Sequence, residues 1–510
     1  MKKTTFELKL PINYTNQGII DSLKKQGASK FTNYKILRKS LDARKKSNIF
    51  WNIKVEIDTP HITFEQRAKS SLNLIKTDRD KHVVIVGSGP AGIFSGIVLL
   101  QAGFNVTLIE QGKKVSSRDG DIEDLLNKAI FNPTSNFAFG EGGAGTYSDG
   151  KLTSRSKHIS KEKEFILSTF INNGAPEEIF SMVHPHIGSD NLKIVAKNMR
   201  NEFLSLGGNI EFNTTFITFK DSFGRVNNIE TDKGVVDCDY LILATGHSSF
   251  RTYRELIRKG LIFKNKNFAI GFRAEHEQSL INNAQWGVDS IKGLKAAEYR
   301  LTSKTDSSSV FSFCMCPGGT VVPAAALDRT SVVNGMSNYN RDGKFANAAV
   351  VSSFNFSQEL KREVSPLESL DLLQDLEEGY YRATGGYSVP AMRISDFING
   401  KATANIGETS YSLGLTPYNL VDLLPKGVVD PLRLGLKDFS RKLYGYETGN
   451  ILGLESKTSS PIQVERSREG LCSGFTNIYF VGEGSGWAGG IVSSGADGIK
   501  GALDIIKRES

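Results

Sequence analysis

The sequence predicts an α/β fold: a dinucleotide-binding domain of the Rossmann type with an inserted mixed domain, preceded by a small α+β module. Three observations predict it. A buried strand, a glycine-rich turn and a helix begin near Lys81. A strand, another glycine-rich turn and a helix occupy residues 478–510. Between them, residues 263–455 mix strand-like and helical segments. The predicted domains are therefore 1–78, 79–262 together with 456–510, and 263–455.

The first 78 residues are the predicted N-terminal module, with strands at 6–11, 33–44 and 49–57 and a helix at 18–26. Residues 1–81 hold 18 Lys and Arg against 8 Asp and Glu, a net charge of +10, whereas the whole chain carries +8. This basic surface could meet RNA or another nucleic acid, an acidic protein or a membrane surface, or could simply be solvated. Its aromatic side chains suit either base stacking or the core of the module, and they are Phe31, Tyr34, Phe50 and Trp51.

The dinucleotide-binding domain is predicted from Gly87-x-Gly89-x-x-Gly92, which follows the strand "VVIV" and opens a helix that continues to Gln101. A second strand then ends in Glu110, 23 residues after Gly87. The three glycines permit a tight turn, backbone approach to a pyrophosphate and close helix–strand packing. A carboxylate at Glu110 would accept hydrogen bonds from ribose hydroxyls.

The same glycine spacing recurs twice, without the same context. Gly140-x-Gly142-x-x-Gly145 is preceded by "NPTSNFAF" and followed by "TYSDGKLTS", which favour turns over strand and helix. Gly484-x-Gly486-x-x-Gly489 has a strand before it and a helix after it, but no later strand. We therefore predict one complete dinucleotide site, with residues 112–190 otherwise irregular up to a helix capped by Ser189 or Asp190. Strands are predicted at 210–219, 226–231 and 240–244.

Composition places the protein in the reduced cytoplasm. Its four cysteines make no disulfide framework in a chain of 510 residues, and Glu7 and Lys9 interrupt any signal-peptide core. Residues 83–109 carry no charge and are long enough to span a bilayer. Turn-forming residues at both ends divide this segment into strand, helix and strand, so no transmembrane segment is predicted.

At this point the motifs resemble those of a known class. The first glycine turn, "YLILATG" and "IYFVGEGSGWAGGI" occur in the order seen in flavoproteins with a glutathione-reductase-type, FAD-binding Rossmann domain. More of the chain resembles a bacterial family of uncharacterised FAD-dependent dehydrogenases, through "GEGGAGTYSDGKLTSR", "PHIGSDNL", "ATGHSS", "CMCPGGTVVPAA" and "VNGMS". The basic N-terminal extension is similar to that family too.

The resemblance implies FAD as the cofactor and a set of residues that hold it. The glycine turn would take the ADP half, the Ala-Thr-Gly turn would cross near the cofactor, and Glu483 would stand at the ribityl chain, where the class more often has Asp. The glycines before the last helix would stabilise the flavin N1–C2=O edge through the helix N-terminus. The predicted cofactor-binding residues are Gly87, Ser88, Gly89, Ala91, Gly92, Glu110, Gln111, Gly142, Gly143, Thr146, Ala244, Thr245, Gly246, Gly482, Glu483, Gly489, Gly490 and Ile491.

Four residues are candidates for catalysis. Cys316, in Cys314-Met-Cys316-Pro-Gly-Gly, could bring a thiol to the flavin or could be a small residue beside a tight turn. Arg273 and His276 could hold an anionic substrate and act as acid or base, or could form ordinary ion pairs with Glu275 or Glu277. His247 follows the Ala-Thr-Gly turn and could lie near the cofactor or make a structural hydrogen bond.

Other side chains were weighed for the same site. His184-x-His186 with Asp190 could suggest a metal, but Pro185 and the following helix favour a loop, and no metal is predicted. From the middle glycine-rich stretch, the side chains expected to face the cofactor or its substrate are Glu141, Tyr147, Asp149 and Lys151.

The predicted function is hydride transfer between an unidentified small-molecule substrate and flavin N5. No second complete strand–helix–strand unit follows, so we expect NAD(P)H, if used, to dock transiently. Two alternatives remain open: an RNA-linked flavoprotein of the tRNA-modifying type, and a non-catalytic flavin-binding redox sensor.

Overall fold

The computed structural model describes residues 4–28, 30–58, 72, 74, 76–77, 79–154, 156, 158–305 and 308–510. The predicted boundary at residue 78 lies outside these residues. The N-terminal part forms β1 (Thr5–Pro11), α1 (Asn16–Lys25), β2 (Tyr34–Asp42) and β3 (Phe50–Ile57). These strands make an antiparallel sheet in the order β1-β3-β2. Trp51 is buried in its core, and Phe31 and Tyr34 pack against that core, so these rings are not a free stacking surface.

The next part of the chain alternates helices and strands. Its elements are β4 (His82–Val86), α2 (Pro90–Gln101), β5 (Asn105–Glu110), α3 (Val115–Lys128), α4 (Ser160–Asn172), α5 (Ser189–Ser205), β6 (Asn209–Phe212), β7 (Phe216–Ser222), β8 (Arg225–Thr231), β9 (Gly234–Asp237), β10 (Tyr240–Leu243) and α6 (Phe250–Arg258). The edge strand β2 joins this part through backbone hydrogen bonds between Lys39 and residues Ser181 and Val183.

The remaining elements follow the same chain order. They are β11 (Phe263–Asn265), β12 (Phe268–Glu277), α7 (Gln278–Trp286), β13 (Thr302–Lys304), β14 (Ser309–Cys316), β15 (Thr320–Pro323), β16 (Val333–Met336), β17 (Phe345–Phe354), α8 (Phe356–Leu360), α9 (Pro366–Thr384), β18 (Val389–Arg393), α10 (Ile394–Asn399), β19 (Leu415–Pro417), α11 (Lys426–Lys442), β20 (Asn450–Glu455), β21 (Ile462–Val464), β22 (Ile478–Phe480) and α12 (Ile491–Arg508).

Two sheets dominate the architecture. A five-stranded parallel sheet has the order β22-β10-β4-β5-β6, so the C-terminal strand pairs with strands from the first half of the chain. A seven-stranded sheet, β13-β14-β17-β12-β20-β18-β19, is antiparallel except between β18 and β19. The parallel sheet places the carboxyl ends of β4, β10 and β22 at one edge, where α/β proteins bind ligands.

Helices α2 and α12 pack against each other beside the parallel sheet, and glycine makes this possible. A Cβ on Gly498 would lie 2.2 Å from the Ala91 carbonyl oxygen. The segment 83–109 is β4, α2 and β5, as predicted. None of the helices formed by the described residues is long and apolar enough to cross a membrane.

Two sequence predictions about local structure are wrong. Residues 112–190 are not irregular, because they contain α3 and α4. The predicted strand at 210–219 divides at Asn213, whose φ is +52°, into β6 of the parallel sheet and β7 of a separate antiparallel sheet with β8 and β9. In addition, neither Ser189 nor Asp190 is the N-cap of α5, because the helix begins at Ser189 and its N-cap is Gly188.

Candidate functional site

The glycine turn between β4 and α2 has the geometry that its spacing predicts. Gly87 has a φ of +106°, and a Cβ there would lie 2.5 Å from the Ala244 carbonyl oxygen. A Cβ on Gly92 would lie 1.9 Å from the Gly87 carbonyl oxygen. A Cβ on Gly89, by contrast, would meet no atom within 4 Å. The first and third glycines thus serve the fold, and the second opens onto space that a ligand can occupy.

A cleft lies next to this turn. Its walls come from the turn, from α5, β6 and the start of α12, and from the loop that contains Gly140, Gly142 and Gly145, called here the middle glycine-rich loop. Among the lining residues are Ser88, Gly142, Thr146, Met199, Phe212 and Ile491. Most of these walls are apolar. Pro90 and Ile93 at the beginning of α2 and Ile491 at the beginning of α12 line the cleft, and helix N-termini favour anionic groups such as phosphate.

The Ala-Thr-Gly turn and the C-terminal turn meet at the same edge of the sheet. The Ala244 carbonyl oxygen lies against Gly87, and a Cβ on Gly484 would lie 2.8 Å from the Gly246 carbonyl oxygen. A Cβ on Gly482 would lie 2.6 Å from the Cβ of Ala91. The structure therefore brings together all three segments that the sequence singled out. That they hold the cofactor stays a prediction.

Glu110 lies at the end of β5, buried among four donors. One carboxylate oxygen accepts hydrogen bonds from the Ser88 N–H (3.0 Å) and hydroxyl (2.7 Å). The other accepts from the N–H groups of Gly112 (2.9 Å) and Gly140 (3.2 Å). A ribose hydroxyl would thus replace or share one of these donors, and the Ser88 hydroxyl, which can rotate, is the one that can move. The neighbouring Gln111 is half-buried.

Arg118, a residue of α3 that was not predicted from the sequence, holds the middle glycine-rich loop through hydrogen bonds to its carbonyl groups. Its side chain is fully buried and donates to the carbonyl oxygens of Asn136 (2.9 Å), Glu141 (2.8 Å) and Gly143 (2.9 Å). Burial lowers the pKa of this guanidinium to about 10. A Cβ on Gly140 would lie 2.5 Å from the Arg118 Cδ. No local pattern marks Arg118, because the carbonyl groups it binds come from later in the chain.

This loop, with a 3-10 helix at Gly143–Tyr147, lies directly over the first glycine turn. A Cβ on Gly143 would be 3.3 Å from the Gly89 Cα. A Cβ on Gly145 would be 3.5 Å from the Ile491 side chain and 4.0 Å from that of Pro90. The loop therefore touches the beginnings of both α2 and α12, as expected of a lining for the cofactor site.

The four side chains of this stretch that were expected to face the cofactor or its substrate form two pairs with different contacts. Glu141 accepts a hydrogen bond from the Val115 N–H (2.6 Å) at the start of α3 and forms an ion pair with Arg200 (2.8 Å). The Tyr147 hydroxyl donates to Asp119 on the same helix (2.6 Å). Both therefore anchor α3. Lys151 instead reaches β14, and Asp149 reaches Arg341 in the chain that follows β16.

Asp149, which is buried, and Lys151, whose side chain is 28% exposed, belong to one cluster of charges. Lys151 Nζ lies 2.6 Å from Asp149 Oδ2 and also donates to the Met315 carbonyl oxygen. Arg341 binds Asp149 through two hydrogen bonds. Burial opposes ionisation of Asp149, but Lys151 and Arg341 together lower its pKa below the ordinary value. Burial likewise disfavours charged Lys151, yet Asp149 and the two nearby thiols raise its pKa.

His247 and Glu483 connect the Ala-Thr-Gly turn to the C-terminal turn. His247 Nδ1 lies 3.3 Å from Glu483 Oε2. His247 Nε2 is buried and has no hydrogen-bond partner among the described residues. Gly490 has a φ of +76°, and a Cβ there would meet nothing within 4 Å. An orphaned ring nitrogen and an open glycine before α12 fit a bound polar group such as a flavin and its ribityl chain.

Arg273 and His276 are not brought together. Three residues apart on β12, they point to opposite faces of the sheet. Arg273 is fully buried and donates to Asn347 (2.8 Å), Asn334 (2.9 Å), Glu455 (2.7 Å), the Cys314 carbonyl oxygen (2.6 Å) and the Cys316 sulfur (3.5 Å). Its ion-pair partner is therefore Glu455, rather than the Glu275 or Glu277 weighed from the sequence.

His276 lies in the core on the other face. Its Nε2 is 2.7 Å from the Tyr446 carbonyl oxygen, and burial lowers its pKa to about 4. Neither Arg273 nor His276 faces the cleft beside the glycine turn. Their predicted contact with substrate stays untested, and their surroundings favour structural roles.

The two thiols of β14 lie beside the charge cluster. Cys316 is fully buried, whereas Cys314 is partly exposed. His186, from the pair weighed as metal ligands, stacks on Tyr339, and its Nε2 lies 3.1 Å from the Tyr339 carbonyl oxygen. No group of three or more His, Cys, Asp or Glu side chains in the described chain is arranged to hold a metal ion.

Comparison with protein families matches three consecutive parts of the chain. Residues 81–268 match the pyridine nucleotide-disulphide oxidoreductase family, and residues 267–458 match the FAD-dependent protein, C-terminal domain-like family. Residues 1–58 match a domain of unknown function. The predicted domain division stays a prediction.

Two relatives are similar to this chain in sequence. An uncharacterized protein of Clostridium beijerinckii is 38% identical over 496 residues, which cover 93% of this chain and 92% of the relative. An L-amino-acid oxidase of Notechis scutatus scutatus is 46% identical over 55 residues, which cover 11% of this chain and 10% of the oxidase. The second match is too short to bear on substrate.

The solved structures with similar folds have low TM-scores. CtdE in complex with FAD has a TM-score of 0.34 and 11% identity, covering 84% of this chain and 89% of CtdE. The tetracycline destructase Tet(51) has a TM-score of 0.36 and 12% identity, covering 84% of this chain and 83% of Tet(51). The flavin-dependent halogenase CmlS has a TM-score of 0.39 and 13% identity, covering 85% of this chain and 58% of CmlS. At these scores none of them carries an argument about this chain.

The parallel sheet, its single complete glycine turn and the family matches define an FAD-dependent oxidoreductase type of protein. The chain belongs to the family of FAD-dependent oxidoreductases represented by the Clostridium beijerinckii relative, and FAD is the cofactor that this family implies.

Proposed function

We propose that the protein is an FAD-dependent dehydrogenase that transfers a hydride between a small-molecule substrate and flavin N5. The observation that carries this proposal is the geometry at Gly89. A Cβ there would meet no atom within 4 Å, and its neighbours Ser88 and Pro90 line the cleft together with the middle glycine-rich loop and the beginning of α12. A pyrophosphate would be held there by the backbone N–H groups of Gly89, Ala91 and Gly92 at the start of α2, since Pro90 has no N–H and that of Ser88 is bound to Glu110.

Bound FAD would supply a two-electron acceptor, and the protein's own residues would orient it. Glu483 and His247 would hold the ribityl chain, since the His247 Nε2 has no other partner among the described residues. Gly489, Gly490 and Ile491 would present the N-terminus of α12 to the flavin edge that becomes negative on reduction. Ala244–Gly246 and Gly482 would form the floor between them.

For the electron partner, we infer transient docking of a nicotinamide. The described residues contain one complete strand–helix–strand unit with the glycine turn, and FAD would occupy it. Anaerobic mixing with NADH or NADPH should therefore bleach the flavin absorbance, and deuterium at the transferred position of the nicotinamide should slow bleaching. Bleaching by dithionite alone would contradict the nicotinamide part of the proposal and leave FAD binding intact.

The cofactor site is tested by substitution. Purified protein should be yellow, and denaturation should release FAD rather than FMN. The Gly89→Val variant should fold with an unchanged melting temperature but without FAD, because the added side chain fills the space for the pyrophosphate. Gly386→Val is the matched control, since its Cβ also meets nothing within 4 Å and it lies far along the chain from the turn. Stoichiometric FAD in Gly89→Val would contradict the assigned site.

A further inference from the structure

Trp487 carries an indole ring that is fixed in place and yet open to solvent. It is 54% exposed, whereas the other two tryptophans of the chain are buried. It lies in the C-terminal turn, three residues before Gly490, the N-cap of α12. We propose that Trp487 and Lys266 form the docking site of the nicotinamide dinucleotide, with an aromatic ring of the dinucleotide stacked on the indole and a phosphate on the Lys266 ammonium group.

Two contacts hold the indole. Its Nε1–H donates to the Val464 carbonyl oxygen on β21 (2.8 Å), and the Arg466 guanidinium lies over the ring, 5.3 Å from its centroid. Arg466 is itself held by Asp497 of α12 through two hydrogen bonds (2.9 and 3.0 Å), and its side chain is 2% exposed. Because the ring is already ordered, binding a ligand to its open part costs little side-chain entropy.

The backbone beside Trp487 is fixed as well. The Gly486 carbonyl oxygen accepts hydrogen bonds from Lys266 Nζ (2.7 Å) and Gln463 Nε2 (3.1 Å). A Cβ on Gly486, whose φ is +77°, would lie 2.4 Å from the Ile462 carbonyl oxygen. The C-terminal turn is therefore packed against the two-stranded sheet of β11 and β21, and this packing sets the position from which the indole reaches solvent.

Exposure alone does not select Trp487, because single exposed apolar residues are common on protein surfaces. Tyr444 is 91% exposed, but among the described residues no hydrogen bond, cation or second ring holds its side chain. Trp487 is both exposed and held, and this combination is what stacking of a planar ligand requires.

Lys266 places a positive charge next to the indole. Its Nζ binds the carbonyl oxygen of Gly486, the residue before Trp487, and it forms no ion pair within the part of the chain that the structure describes. The side chain is partly buried, so its charge is screened less than that of a fully exposed lysine. An ammonium group binds phosphate as a point charge. A cation beside an aromatic ring therefore fits a nicotinamide nucleotide, which joins an aromatic ring to phosphate.

The indole is close along the chain to the cofactor cleft. A Cβ on Gly490 would meet no atom within 4 Å, and one on Gly489 would meet first the Glu483 carboxylate, at 3.8 Å. Ile491 lines the cleft and follows Trp487 by four residues, a span of at most about 14 Å. An extended dinucleotide can bridge this span to a flavin at the start of α12. This inference rests on the proposed function, because it gives the place where the proposed electron partner docks.

The first experiment measures nucleotide affinity in FAD-loaded protein, with whichever of NADH and NADPH bleaches the wild type. The dissociation constant is taken from the dependence of the bleaching rate on nucleotide concentration. It should rise about tenfold in Trp487→Leu, which removes the aromatic ring. Trp487→Phe keeps a ring and should bind nearly as wild type does. FAD content should be stoichiometric in both variants, and Tyr444→Leu is the matched control for an exposed ring.

Lys266 is tested in the same way. Lys266→Met should raise the dissociation constant of the nucleotide and make it less dependent on salt, because one charge–charge attraction is lost. Lys437→Met is the control, since Lys437 is an exposed lysine of α11. It should leave both the dissociation constant and its salt dependence unchanged.

The second experiment observes the ring itself without turnover. Trp51 and Trp286 are buried, so the tryptophan fluorescence that acrylamide quenches comes from Trp487. NAD⁺ or NADP⁺, which cannot reduce the flavin, should protect this fluorescence from acrylamide in wild type. The same nucleotide concentration should protect it less in Lys266→Met.

The outcomes separate this inference from the proposed function. Wild-type affinity in Trp487→Leu, with no protection from acrylamide in wild type, would overturn the docking site while bleaching upholds the proposed function. Equal loss of affinity in Trp487→Leu and Trp487→Phe, or loss of FAD from Trp487→Leu, would also overturn it, because the indole would then support the turn or the flavin. A wild type that neither nucleotide bleaches would contradict the nicotinamide part of the proposed function and this inference with it.

Discussion

Arg341 holds Asp149 with two hydrogen bonds, 3.0 Å from Nε to Oδ1 and 2.7 Å from Nη2 to Oδ2. Asp149 follows the glycine-rich loop over the cofactor turn, and Arg341 follows β16 nearly 200 residues later. Both side chains are almost completely buried. This ion pair therefore ties the lining of the predicted flavin site to the region that carries Cys314 and Cys316.

Arg341→Met should lower the free energy of unfolding by about 3 kcal/mol, because it leaves the buried Asp149 charge with Lys151 as its one remaining cation. Urea unfolding followed by fluorescence measures this. Arg329→Met is the control, since Arg329 and Asp328 are an exposed pair 4.0 Å apart, worth less than about 1 kcal/mol. Equal effects of the two substitutions would contradict a special role for the Arg341–Asp149 pair.

Gly92→Ala should destabilise the protein, unlike a substitution at Gly89. The added Cβ would lie 1.9 Å from the Gly87 carbonyl oxygen, which is backbone and cannot move aside without opening the turn. We expect a loss of about 1–3 kcal/mol, the range for overpacking, measured as a lower melting temperature of the protein without cofactor. An unchanged melting temperature in Gly92→Ala would mean that the turn differs from the one described.

Glu483→Gln should weaken FAD binding without affecting the fold. The side chain is about one-quarter exposed and lies 3.3 Å from His247 Nδ1, and replacing its charge weakens a hydrogen bond to a ribityl hydroxyl. We expect the dissociation constant of FAD to rise about tenfold, equivalent to about 1.4 kcal/mol. Equilibrium dialysis with flavin fluorescence measures it. Glu469→Gln, an exposed residue of the preceding loop, should bind FAD as wild type does.

Two buried histidines should make the protein less stable as the pH falls. Burial lowers the pKa of both His276 and His186 to about 4, and for His186 the Arg341 charge lowers it further. Between the ordinary value of about 6.5 and about 4, the unfolded state binds protons that the folded state does not, so stability rises with pH in this window.

The effect is isolated by comparing wild type with His276→Gln. Each histidine should cost about 2 kcal/mol of stability between about pH 7 and about pH 5. Buried carboxyls with raised pKa values, Glu141, Glu275, Glu455 and Asp497, act in the opposite direction. They are common to both proteins, so the difference in slope reports His276 alone. Identical pH dependence in the two proteins would contradict a neutral, buried His276.

Local sequence was sufficient for the cofactor turn. The apolar strand before Gly87 and the helix after Gly92 predicted β4, α2 and β5, because hydrophobic periodicity and glycine spacing act over neighbouring residues. The same test separated this turn from the two other glycine repeats. Residues 131–142 form no strand in the structure, and the last repeat is followed by α12 alone.

Helix α3 was missed because its own sequence favours turns. Ser116, Asp119 and Gly120 lie in its first half, so the residues gave no helical signal. The helix is stabilised from a distance instead, by the Glu141 carboxylate on its first N–H group and by the carbonyl groups that Arg118 binds. Such partners cannot be read from residues 115–128.

The sequence by itself determined the class of the protein, its one complete dinucleotide turn and the cofactor that its family uses. Only the tertiary structure decided which charged side chains meet. It turned Arg273 away from His276, buried it against Glu455, and brought Lys151 to the Met315 carbonyl oxygen. The physical reason is range: strand, turn and helix propensities act between neighbours, whereas buried ion pairs and long-range hydrogen bonds depend on residues that only folding brings within a few ångströms.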